Sequence, residues 1–321
     1  MKYTRIGSFR SSVIGLGTWQ FGTSHWGWGT EFGPKEILGI LEAARETGIN
    51  MIDTAELYGS GESERQIGYN ILSDDTYFKV ASKVSPWHLS GSGVYTSGMN
   101  SLQRLQRTFI DLYQIHTPNP LMPISRTMTG MKRLLEEKRV VEIGVSNFSL
   151  KRWHGAINAL GSNVVSNQVD YSLLRPRAYE ALKPMLNNGC VMIAYSPLAM
   201  GLLSGKYNDE NKPLGGRARY HEFSNRNYKN VIRVIEVAQR VAKSHSASLS
   251  QIALAWIIGH PNVIAIPGAK SPNQVKENAS AADIELSESE MSDLDTVSSE
   301  YRAAIHIPHV FESFKWMFSR N

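Results

Sequence analysis

Short hydrophobic runs recur along the chain, and each is followed by polar residues. The runs are rich in valine and isoleucine, which is typical of strands buried on both faces of a parallel sheet. Most start roughly 25 to 35 residues after the one before, the length of a strand and a helix together. The pattern predicts eight parallel strands: Val13–Leu16, Asn50–Ile52, Phe78–Ala81, Leu112–Ile115, Val140–Val145, Val164–Val169, Val191–Ala194 and Val263–Ile266.

The segments between these runs carry apolar residues at helical spacing. Strands that alternate with helices favour a parallel sheet with right-handed crossovers, and eight such units favour closure. The sequence therefore predicts an α/β fold, a (β/α)8 TIM barrel, with residues 1–321 as one domain. The clearest helical stripes are Ile37, Leu38, Leu41, Ala44 and Arg45 ahead of Gly48; Leu102, Leu105 and Phe109; and Met128, Met131, Leu134 and Leu135.

Two segments depart from this repeat. A polar stretch, Gly205–Asn230, follows the seventh predicted strand and precedes helical patterns that run through Ile258. A loop of that length is usually functional, so we expect an extended ligand clamp between strands seven and eight. After Ala282 the pattern predicts C-terminal helices, one containing Leu286, Met291 and Leu294 and a short amphipathic segment containing Phe311, Phe314 and Phe318.

Composition narrows the functional classes. The net charge is +5 without any block of like charges, which fits an anionic ligand as well as an ordinary surface and argues against nucleic acid. The only cysteine, Cys190, excludes an internal disulfide and fits the reducing cytoplasm. The N-terminal segment lacks the apolar stretch of a signal peptide, and the apolar run Ile252–Ile258 is too short to cross a membrane.

Polar side chains follow nearly every predicted strand. Taken singly, an aspartate there is commonly a helix cap, a lysine is usually solvated and a histidine is usually structural. In a β/α barrel, however, the carboxyl ends of the strands converge on the face that carries the active site. The residues that this face would gather are Asp53, Ser82, Lys83, His116, Ser146, Asn147, Asn167, Gln168, Asp170, Tyr195, Ser196, Gly268, Lys270 and Ser271.

Several longer motifs resemble those of the aldo-keto reductase superfamily, in register over roughly residues 1–300. The resemblance is nearer to bacterial and archaeal stress-type reductases and to potassium-channel β subunits than to the steroid-reducing branch. The motifs are GLGTWQFG (Gly15–Gly22), NMIDTAELYGSGESERQIG (Asn50–Gly68), DLYQIHTPNP (Asp111–Pro120), GVSNF (Gly144–Phe148), NQVDYS (Asn167–Ser172), AYSPLAMGLLSGKY (Ala194–Tyr207) and IPGAKSPNQVKEN (Ile266–Asn278).

The resemblance implies NADPH-dependent reduction of aldehydes and ketones by a catalytic tetrad, Asp53, Tyr58, Lys83 and His116. Tyr58 would supply a proton to the carbonyl oxygen. A free phenol has a pKa near 10, and we expect the Lys83 ammonium to lower it. Asp53 would hold Lys83 in place, and His116 would orient the substrate.

The resemblance also implies an NADPH/NADP+ site without a Rossmann glycine motif. The steroid-reducing branch has a lysine and an arginine for the 2′-phosphate at the positions of Gly268 and Gln274, so Lys206, Arg217 and Lys270 are the expected substitutes. The implied cofactor-binding residues are Thr18, Trp19, Asp53, Ser146, Asn147, Gln168, Tyr195, Ser196, Pro197, Leu198, Ala199, Gly201, Lys206, Arg217, Gly268, Lys270, Gln274, Glu277 and Asn278.

Aromatic residues near the strand ends suit an apolar or aromatic carbonyl substrate. No metal site is expected, and homo-oligomerisation is left open. Two other functions remain: a regulatory module that binds NADPH as a sensor, and a barrel isomerase or aldolase that uses Lys83 as a Schiff base. The expected substrate-binding residues are Trp19, Trp26, Trp28, Tyr58, Trp87, His116 and Phe148.

Overall fold

A computed structural model describes residues 1–207, 211, 221–223 and 225–301. The chain begins with an antiparallel hairpin of strands β1 (Tyr3–Ile6) and β2 (Phe9–Ser12). The fully buried Ile6 packs with apolar residues of the barrel interior, and the amide of Ser8 donates to Glu142 at 2.8 Å. The hydrophobic pattern does not predict this hairpin because its strands are only four residues long and the buried residues of β2 are serines.

Eight parallel strands form one sheet in the order of the sequence, with the last strand beside the seventh and the first at the other edge. Each of the last seven strands has at least three residues and overlaps a predicted run, whereas the first strand is shorter. They are β3 (Leu16–Gly17), β4 (Met51–Asp53), β5 (Lys79–Val84), β6 (Ile110–Ile115), β7 (Val140–Ser146), β8 (Ser166–Asp170), β9 (Val191–Tyr195) and β10 (Val263–Ala265).

Backbone hydrogen bonds close this sheet between its first and last strands. The amide of Gly15 donates to the carbonyl of Ala265 at 2.8 Å, and the amide of Gly17 donates to that of Pro267 at 3.0 Å. A side chain at position 17 would place its Cβ 2.6 Å from the carbonyl oxygen of Ile266, so the closure depends on glycine. The structure therefore confirms the (β/α)8 barrel.

Helices surround the barrel. Leu102 and Leu105 are buried in α3 as predicted, but Phe109 lies outside it because Gln106 ends the helix with a φ of 52°. The helices are α1 (Pro34–Glu46), α2 (Glu62–Asn70), α3 (Gly91–Leu105), α4 (Ile124–Glu136), α5 (Leu150–Leu160), α6 (Arg177–Leu186), α7 (Asn225–Ser244), α8 (Leu249–Gly259), α9 (Pro272–Ser280) and α10 (Glu288–Glu300).

The predicted loop Gly205–Asn230 is too long at its C-terminal end. Helix α7 already begins at Asn225, and the side chain of Tyr228 is buried in the core, so this part of the segment is helical. Arg217 lies outside the described residues.

Helix α10 confirms the first of the predicted C-terminal helices, and its Leu294 is fully buried. The Phe311, Phe314 and Phe318 segment lies outside the described residues. In the part of the chain that is described, no helix combines the length and the apolar character needed to span a membrane.

Candidate active site

Four polar residues meet at the carboxyl ends of β4, β5 and β6, with the Lys83 ammonium at their centre. Lys83 Nζ donates to Asp53 Oδ1 at 2.6 Å, to the carbonyl of Thr54 at 2.9 Å and to the Tyr58 hydroxyl at 3.0 Å. Asp53 and Lys83 are the last residue of β4 and the fifth residue of β5, and both are almost fully buried. The expected tetrad is therefore assembled, with His116 beside Tyr58.

The pKa of Tyr58 differs from the sequence-based expectation. Burial raises it well above 10, and the negative charge of Asp53 raises it further. The chain on its own therefore does not show the lowered pKa expected from the Lys83 ammonium. Burial also lowers the pKa of Lys83 although Asp53 favours its charged form. Tyr58 is consequently a neutral phenol, the form that can donate a proton.

His116 directly follows β6, and its ring meets that of Tyr58 edge-on with the centroids 5.7 Å apart. Burial lowers the pKa of His116 to about 3, and the positive charge of Lys83 adds to the effect. The imidazole is therefore neutral at physiological pH. Its buried Nδ1 atom has no hydrogen-bond partner among the described residues, which leaves a polar atom for a ligand.

Two buried carboxylates that the sequence analysis did not single out support this centre. Glu64 on α2 accepts from Ser82 of β5 and from Arg104 Nε of α3, so it joins three elements behind Lys83. Gln168 Nε2 donates to Asp53 Oδ2 at 2.7 Å and links β8 to β4. Glu64 lies inside the Asn50–Gly68 motif between Ser63 and Arg65, so its neighbours in the sequence give no signal of burial.

Glu56 is the second supporting carboxylate. It accepts from the backbone amide of Ser85 at 2.6 Å, from Ser97 Oγ at 2.6 Å and pairs with His88 Nε2 at 3.0 Å. Burial alone raises its pKa, but these hydrogen bonds outweigh burial and lower the pKa to about 2. Glu56 thereby fixes the loop that carries Tyr58 against the end of β5.

A cavity of about 870 Å³ extends from Tyr58 and His116 across the barrel mouth to α9. Its size suits a dinucleotide-sized or drug-sized ligand. The predicted site residues that line it are Thr18, Trp19, Trp26, Asp53, Tyr58, Trp87, His116, Ser146, Asn147, Gln168, Tyr195, Ser196, Pro197, Leu198, Gly201, Lys206, Gly268, Lys270, Gln274, Glu277 and Asn278.

Among the predicted residues that the structure describes, four do not line this cavity. Lys83 lies beneath its floor, and Ala199 is buried within the turn after β9. Trp28 packs edge-on against Phe32 with centroids 5.3 Å apart, and Phe148 is 4% exposed. The structure therefore does not bring Trp28 and Phe148 to the place where a substrate would bind.

Side chains from β7, β8 and β9 form a polar shelf opposite Tyr58. The Tyr195 hydroxyl donates to Asn147 Oδ1 at 3.0 Å, and Asn147 Nδ2 donates to Ser146 Oγ at 3.1 Å. Asn147 has a φ of 61°, a left-handed conformation that asparagine tolerates better than most residues. The flat face of Tyr195 and the neighbouring amides can hold an aromatic carboxamide.

The turn after β9 has an unusual backbone. Ser196, Ala199, Met200 and Gly201 all have positive φ angles, between 46° and 93°. The amides of Ala199 and Gly201 donate to the carbonyls of Ser196 and Leu198 at 2.9 Å each, so the turn folds tightly on itself at the edge of the cavity. Lys206 lines the same part of the cavity and adds a positive charge.

The turn between β10 and α9 carries a second cationic group. Lys270 Nζ pairs with Glu31 Oε2 at 2.5 Å, and the Lys270 amide donates to Gln274 Oε1 at 2.8 Å. Gln20 Nε2 bonds the carbonyls of Gly17 and Ala269, which ties the first and last loops together. Glu31 and Gln20 were not predicted, because their role depends on loops that meet only when the barrel closes.

Aromatic rings form the outer wall near Tyr58. The rings of Trp19 and Trp26 lie 5.2 Å apart, and those of Trp19 and Tyr58 lie 6.4 Å apart. Trp87, after β5, lines the same end of the cavity and is 45% exposed. These tryptophans give the cavity an aromatic wall beside the Tyr58 hydroxyl and the His116 ring.

The sequence model described as "Aldo/keto reductase family" matches residues 13–299. The chain belongs to this family. An uncharacterised oxidoreductase of Mycobacterium tuberculosis is 45% identical over 89% of this chain and 90% of its own length. An NADH-specific methylglyoxal reductase of Escherichia coli is 29% identical over 87% of this chain and 92% of its own length.

The solved structures include relatives with the same fold. An aldo-keto reductase from Klebsiella pneumoniae in complex with NADPH superposes with a TM-score of 0.74 at 27% identity, covering 96% of this chain and all of the other. The family assignment and the barrel predicted from the sequence are both confirmed. This chain is consequently an oxidoreductase of the aldo-keto reductase type.

Proposed function

We propose that this protein reduces aldehydes and ketones to alcohols, with NADPH as reductant and Tyr58 as general acid. The observation that carries the proposal is the Lys83 ammonium, which contacts both Asp53 and the Tyr58 hydroxyl at the inner end of the cavity. Asp53 neutralises the ammonium, while Tyr58 presents its phenol to the cavity beside it. This arrangement suits the delivery of one proton to a polar oxygen.

The donors along the cavity fit a nicotinamide dinucleotide. Ser146, Asn147 and Gln168 would hold the carboxamide against the Tyr195 ring, and the backbone of residues 196–201 with Lys206 would hold the pyrophosphate. Gln274, Glu277 and Asn278 would hold the adenosine end. When bound, the reduced nicotinamide supplies a hydride to the carbonyl carbon.

The residues of the chain control the proton. As negative charge develops on the substrate oxygen, Tyr58 donates its proton, and the Lys83 ammonium stabilises the phenolate that remains. Asp53 keeps that ammonium charged in a buried site. The neutral His116 ring orients the carbonyl, because an uncharged imidazole can donate one hydrogen bond without competing for the proton.

The proposed preference for NADPH depends on positive charge near the 2′-phosphate. Lys206 and Lys270 line the cavity, and Arg217 is the third proposed group. One relative was solved in complex with NADPH and another is named NADH-specific, so membership of the family does not decide between the two cofactors. The proposed substrate is apolar or aromatic, since Trp19, Trp26 and Trp87 border the inner end. A cytoplasmic location stays a prediction.

A Schiff-base enzyme is disfavoured by the environment of Lys83. Its three N–H donors are directed at Asp53, Thr54 and Tyr58, its side chain is fully buried, and it does not line the cavity. A lysine in that position has no access to a substrate carbonyl. Borohydride added with an aldehyde substrate should therefore leave no adduct on Lys83.

The test is a panel of aldehydes and ketones with NADPH or NADH, followed through the absorbance of the reduced nicotinamide. Turnover of at least one apolar or aromatic aldehyde is expected. Tight NADPH binding without turnover of any carbonyl would contradict the proposal and favour a cofactor-sensing module. A lack of binding by either nucleotide would contradict both functions.

A further inference from the structure

The ion pair between Glu31 and Lys270 joins two loops, and the two residues are 239 positions apart in the sequence. Glu31 lies in the loop before α1, and Lys270 lies in the turn between β10 and α9. Both side chains line the cavity, at the end where the proposed function places the adenosine ribose. The pair therefore faces the part of a dinucleotide that distinguishes NADPH from NADH.

The local backbone places Glu31 in this position. Its amide donates to the carbonyl of Gly27 at 2.7 Å, and Gly27 has a φ of 88°. A Cβ at position 27 would approach Glu31 Cδ to 2.6 Å, so glycine leaves the space that the glutamate side chain occupies. The tight turn therefore directs the Glu31 side chain at Lys270.

The lysine side is fixed as well. The Lys270 amide donates to Gln274 Oε1, its ammonium lies 5.7 Å from the Phe32 ring centroid, and its side chain is only 18% exposed. The carboxylate of Glu31 is more open, at 60% exposed. The glutamate can therefore leave the pair at lower cost than the lysine can move.

The two partners suit different cofactors. An ammonium binds a doubly charged 2′-phosphate, whereas a carboxylate accepts hydrogen bonds from a 2′-hydroxyl and repels a phosphate. We propose that Glu31 is a specificity-determining residue, which sets the ratio of NADPH to NADH affinity by competing with the 2′-phosphate for Lys270. This inference rests on the proposed function, because it requires the adenosine end of the cofactor at β10–α9.

Glu31→Gln keeps the size of the side chain and removes its charge. The dissociation constant of NADPH should fall by roughly threefold to tenfold, since a partly exposed ion pair and its repulsion of phosphate are each modest. The constant for NADH should change less than about twofold, because the glutamine amide still accepts a hydrogen bond. Titration of each nucleotide, followed by quenching of tryptophan fluorescence, measures both constants without turnover.

Glu46→Gln is the matched control. Glu46 of α1 pairs with Lys276 of α9 at 3.1 Å, its side chain is 63% exposed against 60% for Glu31, and neither Glu46 nor Lys276 lines the cavity. This variant makes the same change in net charge between the same two regions, and it should leave both constants unchanged. Equal tightening of NADPH binding by Glu46→Gln and Glu31→Gln would overturn the inference.

Lys270→Met tests the lysine directly. It should weaken NADPH binding and leave NADH binding almost unchanged. Adding Glu31→Gln to it should tighten NADPH binding less than Glu31→Gln does in the wild type, because only the direct repulsion of the phosphate is then removed. A Glu31→Gln effect of equal size with and without Lys270, or an unchanged NADPH-to-NADH ratio in Glu31→Gln alone, would overturn the inference while the proposed function stands. Wild-type protein that binds neither nucleotide would overturn the proposed function itself.

Discussion

The chemistry of single residues at this site follows from burial more than from proximity. Lys83 lies 3.0 Å from the Tyr58 hydroxyl, yet the pKa of Tyr58 is raised because the hydroxyl is enclosed and Asp53 is close. A phenol that stays protonated keeps a proton to donate, and the adjacent ammonium stabilises the phenolate relative to the same enclosed site without it. Tyr58 is therefore a neutral acid whose conjugate base has a positively charged neighbour.

Replacing Tyr58 by phenylalanine removes this acid and preserves the ring. We expect the turnover number of Tyr58→Phe to fall by at least roughly a hundredfold, the lower range for a general acid. Cofactor affinity should stay unchanged, because the hydroxyl points to Lys83 and the substrate end. Steady-state kinetics and a nucleotide titration measure the two quantities. Undiminished turnover would exclude Tyr58 as the proton donor.

The buried His116 should make the protein sensitive to acid. Its pKa is about 3 in the folded chain against an ordinary 6.5, so the unfolded state takes up the proton first. The stability contributed by the neutral ring is therefore complete above pH 6.5 and is lost as the pH falls towards 3, by at most about 1.4 kcal/mol per pH unit. Glu56 loses its contribution only below its ordinary 4.5, towards 2.

Between pH 6.5 and 4.5, the contribution of His116 to stability changes while that of Glu56 does not. Urea unfolding of wild type and His116→Gln at several pH values in this range gives the free energy of unfolding of each. The wild type should lose stability more steeply than the variant as the pH falls. Parallel slopes would show that His116 already carries a proton in the folded state.

The tetrad could be predicted from the sequence because its residues lie within motifs at strand ends. The direction of the Tyr58 pKa shift could not, since it depends on how completely the surrounding loops exclude water. The Glu31–Lys270 pair could not be predicted either. Neither residue has a local pattern that reports a partner more than two hundred positions away.

At the level of secondary structure, hydrophobic runs located the long strands and missed the shortest elements. Strand β3 has two residues and contains Gly17, so most of its predicted run is loop that reaches the last strand through single hydrogen bonds. Strands β1 and β2 have no extended apolar face. Apolar residues at helical spacing correctly predicted the buried face of α3. The end of this helix could not be predicted, because the residue that ends it is Gln106 and not a glycine or proline.

Two glycines inside helices differ in the space around them, so replacing each by alanine should have opposite effects on stability. Gly130 of α4 has no room for a side chain, since a Cβ would lie 2.3 Å from the carbonyl oxygen of Gly91 on α3. Gly155 of α5 has nothing within 4 Å of the same position. Gly130→Ala should therefore destabilise the fold by about 1–3 kcal/mol, whereas Gly155→Ala should stabilise it by about 0.5–1 kcal/mol.

Urea unfolding of both variants under identical conditions checks this pair of predictions. Each protein is the control for the other, because the substitution and the helical setting are the same. If Gly130→Ala were as stable as wild type, α3 and α4 could not approach each other as closely as described.

At the scale of the whole molecule, the cavity lies where the first and last strands of the sheet meet and close the barrel. Thr18 follows β3 and Gly268 follows β10, the two strands whose hydrogen bonds close the sheet, and both line the cavity. Ser146 and Tyr195 reach it from the far side. A ligand that contacts all of these residues binds the closed barrel and not the unfolded chain.

Cofactor binding should therefore stabilise the entire fold. A ligand specific for the folded state raises the free energy of unfolding by about 2.7 kcal/mol at a hundred times its dissociation constant. If residues 1–321 form one domain, NADPH should shift one cooperative urea transition as a unit. The measurement compares the fluorescence of the tryptophans with far-ultraviolet circular dichroism, with and without NADPH.

Tyr58→Phe provides the matched control, because it lacks the proposed acid and keeps the proposed nucleotide contacts. Its transition should shift with NADPH as far as that of the wild type, which separates binding from turnover. A shift in only one of the two signals would show that part of the chain unfolds independently and would contradict the single domain. An unshifted transition would show that NADPH does not bind the folded chain, because any ligand that binds the folded state and not the unfolded one must raise the free energy of unfolding.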